Sequence, residues 1–177
     1  MRISALNALN AKTANETFLQ CCTARRWALA MTGSRPYSSK TAVLEQAETV
    51  WSRMEEPDFL EAFDGHPKIG DPGSLKKKYS ATHSMAGHEQ SRVALAPAPI
   101  QTELAACNRK YESIFGFIFI VCATGKSAEE MLELIKRRMD NPAAREMAIA
   151  AREQSKITAI RIRKIFEDDC PPAGGGQ

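Results

Sequence analysis

Only one stretch of this chain, FGFIFIVCATG at residues 115–125, has the aromatic and β-branched content of a strand, and no second such run exists to pair with it. A lone strand leaves its backbone donors and acceptors without partners. The segment is therefore expected as buried, partly extended backbone leading into a core helix. No glycine-rich phosphate loop, internal repeat or strand–helix alternation appears. The expected class is all-α, a single-domain bundle of seven to nine helices around one core.

The helical runs carry their own punctuation. Ile3, Leu6 and Leu9 recur at helical spacing, and Thr13 or Asn15 is placed to cap a second helix. The run ETFLQCCTARRWALAMTG is expected to break in its middle and to stop at Gly33. Ser38 or Ser39 opens a helix with Val43, Ala47, Val50, Trp51 and Met54 on its apolar face. Pro57 and Asp58 begin a short helix with Phe59, Leu60 and Phe63 inward and Gly65 as its stop. Residues 67–87 are rich in Pro, Gly, Ser and Lys, a long irregular segment of the kind compact domains keep for a binding site or lid. HEQSRVAL resumes helical spacing, and the next helix carries Leu104, Cys107, Tyr111 and Ile114. Ser127 caps SAEEMLELIKRRMDN, and a last helix from Pro142 to Phe166 presents Met147, Ala151, Ile157, Ile160 and Ile165. The domain is expected over 1–168, with a Pro/Gly-rich tail, 169–177, that has nothing to bury.

At 177 residues and 44% apolar content the chain can bury a core without staples. Its net charge of +3 is spread among interleaved acids and bases, so nucleic acid is not indicated as a partner. No window of 18 apolar residues and no signal-like apolar run is present, which leads us to expect no membrane span and a cytoplasmic protein. The five cysteines have no CxxC or paired-His spacing, so neither a disulfide framework nor a metal site is expected.

Acid/base chemistry has three histidines to draw on, and His66 is the one constrained by the backbone. It lies at a helix end in GHPKIGDPG, and Pro67 restricts it to extended conformations that aim its ring. Local geometry leaves two readings open, a catalytic ring or a helix-terminal histidine near the last carbonyls. Glu89, at the head of the helix that closes the long segment, is either a capping acid or the carboxylate that orients such a ring.

Taken in order, GHPKIGD, HEQS, YESIFGFIFIVCATGKS and NPAAREMAIAAREQSKITAIRIRK closely resemble the OHCU (2-oxo-4-hydroxy-4-carboxy-5-ureidoimidazoline) decarboxylase family of urate degradation, and CCTARRWALAM and RPYSS resemble its bacterial branch. The resemblance implies an all-α, commonly homodimeric enzyme that removes CO2 from OHCU to give (S)-allantoin without metal or organic cofactor. It implies that His66 is the catalytic histidine and Glu89 its acid. It further implies that Pro67, Glu89, Gln90 and the backbone of Phe119, Ile120, Val121, Cys122 and Ala123 bind the substrate. Two positions depart from the pattern: Ala86 stands where many relatives have Ser, and Thr124 where many have Arg. Arg161 or Arg163 is an alternative cation for the substrate carboxylate. Outside the resemblance, two other readings remain: another small-molecule enzyme using the same His–Glu pair, and a helical binding module with a structural HP loop.

Overall fold

The computed structural model describes residues 1–67 and 96–167. Eight helices are present there: α1 (Ile3–Ala8), α2 (Ala11–Cys21), α3 (Arg25–Gly33), α4 (Lys40–Trp51), α5 (Glu56–Asp64), α6 (Ala98–Phe115), α7 (Ala128–Arg138) and α8 (Ala143–Glu167). No strand occurs among the described residues, so the all-α expectation holds. The HEQSRVAL helix, the KKK run and the C-terminal tail lie outside the described residues.

Helix boundaries follow from side chains that satisfy exposed backbone groups. Asn10, rather than Thr13 or Asn15, caps α2 by accepting from the Thr13 amide at 2.9 Å, so the helix starts earlier than either of those caps would have it. Ser39 caps α4 by accepting from the Ala42 amide at 3.0 Å. At α7 the Ser127 hydroxyl accepts from the Glu130 amide at 3.2 Å, while the Glu130 carboxylate accepts from the Ser127 amide at 2.6 Å. Ser127→Ala is expected to lower stability by about 1 kcal/mol, read as a shift in the denaturation midpoint at unchanged slope.

All eight helices contribute to one core. α8 packs against α2, α4 and α5, while α6 pairs with α7. Trp27 and Trp51 bury their rings and donate their indole N–H groups to the Ala47 and Ala151 carbonyls at 3.2 and 3.0 Å. Phe18 meets Trp27 and Tyr37 edge-on.

On three helices the inward residues differ from the apolar pattern. Leu60 is 38% exposed because α5 turns Asp58, Ala62 and Phe63 inward. Asp58 is drawn in by its bonds to the Glu55 amide and to Arg26, both 3.0 Å. Ile114 is 48% exposed because Leu104, Asn108 and Tyr111 define the buried face of α6 and Ile114 falls on its flank. On α8, Ala151 and Ile157 are buried as expected, whereas Met147, Ile160 and Ile165 only pack at the core's edge. The inward face instead carries Glu146, Gln154, Thr158 and Arg161.

Candidate active site

α5 ends against the start of α3, and this sets the position of His66. The Thr23 hydroxyl lies 3.0 Å from the Glu61 carbonyl and 3.3 Å from that of Ala62, capping the last turn from outside. Gly65 has an ordinary φ of −75°. A Cβ there would come within 2.1 Å of Thr23 Oγ1, so glycine is required by close approach rather than by backbone conformation. The His66 amide donates to the Phe63 carbonyl at 3.0 Å, and the next residue, Pro67, is buried.

The His66 side chain is turned inward, with the residue only 8% exposed. Its Nε2 lies 2.7 Å from Gln154 Oε1, and Gln154 Nε2 donates to Thr158 Oγ1 at 3.2 Å. Burial, reinforced by the positive charge of Arg161 and opposed by the Gln154 bond, pushes the imidazole down to about 3. The ring is therefore neutral at physiological pH. Arg161 itself is buried, with Nη1 3.5 Å from the Cys21 carbonyl, while Arg163 is exposed. Burial raises the Cys21 and Cys22 thiols to about 12, so neither is a thiolate nucleophile at neutral pH.

This depressed imidazole makes stability pH-dependent. Below about 6.5 the unfolded chain takes up a proton that the folded chain refuses until about pH 3. Stability is therefore complete above that window and falls as pH drops through it, by at most about 1.4 kcal/mol per pH unit from this group. Melting temperatures measured downward from neutral pH should fall more steeply for the wild type than for His66→Asn.

The second component is the backbone after α6. Gly116, at φ +79°, ends that helix in the left-handed conformation. Phe117 to Cys122 then run buried without regular structure, and Ala123 is half-buried. Side chains take the place of a partner strand. The Phe119 amide donates to Asn108 Oδ1 at 3.2 Å, and the Cys122 amide donates to Glu153 Oε2 at 2.8 Å. Arg138 Nη1 donates to the Ile120 carbonyl at 2.9 Å and its guanidinium lies 4.6 Å from the centre of the Phe119 ring. The Ile120 and Val121 amides meet no acceptor among the described residues.

Behind the segment sits a buried ionic cluster. Glu146, 0% exposed, accepts from Arg138 Nε at 2.6 Å, from Asn141 Nδ2 at 2.7 Å and from the Tyr111 hydroxyl. Burial together with the Glu146 bond holds the Tyr111 phenol far above its ordinary range, so it remains a donor. The Tyr111 ring in turn packs on Phe115, Phe117 and Phe119. Phe63 of α5 stacks 5.2 Å from Phe117, which joins the His66 turn to the start of the segment.

Of the residues singled out from sequence, His66, Pro67 and Phe119 to Ala123 are described, while Glu89 and Gln90 lie outside the described residues, as do His83 and His88. Gln154, Thr158, Glu153, Arg138, Glu146 and Tyr111 were not singled out. One signal pointed to the first two: Gln154, Thr158 and Arg161 follow Ala150 at helical spacing on one face of α8. Among the described residues, no group of three or more His, Cys, Asp or Glu side chains is placed to hold a metal ion. No described helix is long and apolar enough to cross a membrane.

The family model described as OHCU decarboxylase matches residues 7–163. The chain is 36% identical over 148 residues to the uric acid degradation bifunctional protein TTL of Arabidopsis thaliana, covering 84% of this chain and 46% of that protein. It is 29% identical over 106 residues to the 2-oxo-4-hydroxy-4-carboxy-5-ureidoimidazoline decarboxylase of Amia calva, covering 60% of this chain and 59% of that one. The chain thus spans about half the length of these curated relatives. Among solved structures, a crystal structure of OHCU decarboxylase in the presence of (S)-allantoin is similar at a TM-score of 0.73 and 34% identity, covering 86% of this chain and 99% of that one.

Proposed function

Because the chain belongs to the OHCU decarboxylase family, we propose that it converts 2-oxo-4-hydroxy-4-carboxy-5-ureidoimidazoline to (S)-allantoin and CO2, with His66 as the acid/base group. The observation that carries this reading is a pair of consecutive residues on α8. Gln154 holds the His66 ring at 2.7 Å and Glu153 holds the Cys122 amide at 2.8 Å. One helical turn therefore ties a buried neutral imidazole to the backbone segment whose Ile120 and Val121 amides meet no acceptor among the described residues.

The reaction asks for those two elements. The substrate carbon that bears the carboxylate also bears a hydroxyl and adjoins a ring carbon–nitrogen double bond. As the bond to CO2 breaks, its electron pair forms a double bond to the adjacent ring carbon, the second pair of the carbon–nitrogen double bond moves onto nitrogen, and the nitrogen takes a proton from solvent. His66 takes the hydroxyl proton while the carboxylate is still in place; once CO2 has left, the C–O bond becomes a carbonyl as the carbon–carbon double bond gives up its pair, and the imidazolium delivers the proton to the ring carbon carrying the ureido group. Delivery from one side gives one enantiomer. Backbone amides in the 119–123 segment donate to substrate oxygens without adding a competing charge. Pro67 lines the same site, and Glu89 and Gln90 complete it by accepting from the substrate's ureido and ring N–H groups.

A ring held down to about 3 is by itself a poor base. The substrate supplies the correction, since its carboxylate offsets the charge of Arg161 and raises the basicity of His66 on binding. The same reading takes the chain as a cytoplasmic homodimer that acts on a small molecule rather than nucleic acid, and the reaction as written requires neither metal nor organic cofactor. The test is to generate the substrate in situ from urate with the two preceding enzymes and to follow optically active allantoin by circular dichroism. A signal that rises no faster than in buffer overturns the proposal.

A further inference from the structure

We infer that Gln154 is a positioning residue that holds His66 with its proton on Nε2, so that Nδ1 is the nitrogen that exchanges protons with the substrate. The second half of this statement rests on the decarboxylase reading above; the first half stands on the geometry alone.

One hydrogen-bonded chain runs from Thr158 through Gln154 to His66. The Thr158 hydroxyl oxygen has lone pairs with which to accept. That oxygen accepts from Gln154 Nε2 at 3.2 Å, which orients the amide with Oε1 toward His66. A carbonyl oxygen can only accept, so the 2.7 Å contact is a bond donated by His66 Nε2–H. Gln154 and Thr158 are 0% and 4% exposed, so water does not readily compete for these bonds. A neutral ring with its proton on Nε2 has Nδ1 as its basic nitrogen. An amide suits this role because it selects the tautomer without adding charge, whereas a carboxylate would favour imidazolium beside Arg161.

The test uses 15N-histidine-labelled full-length protein, with the His66 signals identified by their loss in His66→Asn. At neutral pH the wild type should show Nε2 protonated and Nδ1 unprotonated; the reverse pattern overturns the inference. Gln154→Leu, which keeps most of the volume and removes the acceptor, should give mixed tautomers and lower kcat by at least about tenfold with KM within about twofold. A folded Gln154→Leu with unchanged spectra or unchanged kcat overturns it. If Gln154→Leu does not fold, Thr158→Val is the milder variant, and it should move both readouts in the same direction. No movement in either readout overturns the inference. A wild type without decarboxylase activity that still shows the Nε2–H tautomer refutes the assigned reaction and leaves the positioning of the ring intact.

Discussion

Asparagine in place of His66 should abolish the acceleration of allantoin formation, a loss of at least about a hundredfold in kcat/KM, while the protein remains folded at neutral pH. The substitution removes the group that accepts and returns the proton in the proposed reaction. It removes no charge, because burial and Arg161 already keep the ring neutral. The turn itself does not depend on the imidazole: its backbone is held by the Thr23 contacts to the Glu61 and Ala62 carbonyls and by the bond from the His66 amide to Phe63. Melting temperature at neutral pH is expected to change little. Circular dichroism reports both quantities on one sample, from the far-ultraviolet melt and the allantoin signal. Activity that persists in this variant takes His66 out of the mechanism.

Glu146→Ala should cause the largest loss of stability of any substitution considered, about 3–5 kcal/mol. Glu146 is fully buried and accepts from Arg138, Asn141 and Tyr111. Truncation would leave the Arg138 guanidinium, itself buried, without its counter-charge. The effect should spread to the site, because the same guanidinium holds the Ile120 carbonyl at 2.9 Å and lies against Phe119. Denaturant titration should show a lower midpoint, and activity should fall at temperatures where the variant is still folded. Glu146→Gln keeps the shape and some of the bonds and should cost less. Equal losses in the two variants would show that the charge contributes nothing.

The helical class was legible because several helices carry their own start or stop in local chemistry. Ser39 and Ser127 cap where their spacing placed them, and Gly33 ends α3. The start of α2 was misplaced because Asn10, Thr13 and Asn15 are all competent caps, and tertiary packing chooses among them. The absence of a pairing strand correctly removed FGFIFIV from any sheet. The groups that replace the missing strand were not legible, because Asn108, Arg138 and Glu153 come from three different helices. His66 was visible because glycine and proline flank it. Its partner Gln154 was not, since an amide 88 residues away has no local signature and the apolar pattern of α8 draws attention to isoleucines that pack only at the edge.

The polar inward face of α8 also limits how this scaffold can be engineered. A redesign that filled the positions of Glu146, Gln154, Thr158 and Arg161 with well-packed aliphatic side chains could make a tighter and more heat-resistant bundle, as replacing buried charges often does. It would also dismantle the supports of the imidazole and of the 117–122 backbone together. Thermostabilising changes are therefore better made at the exposed leucine and isoleucine positions, Leu29, Leu60 and Ile114, than along the helix where a stability-driven search would begin.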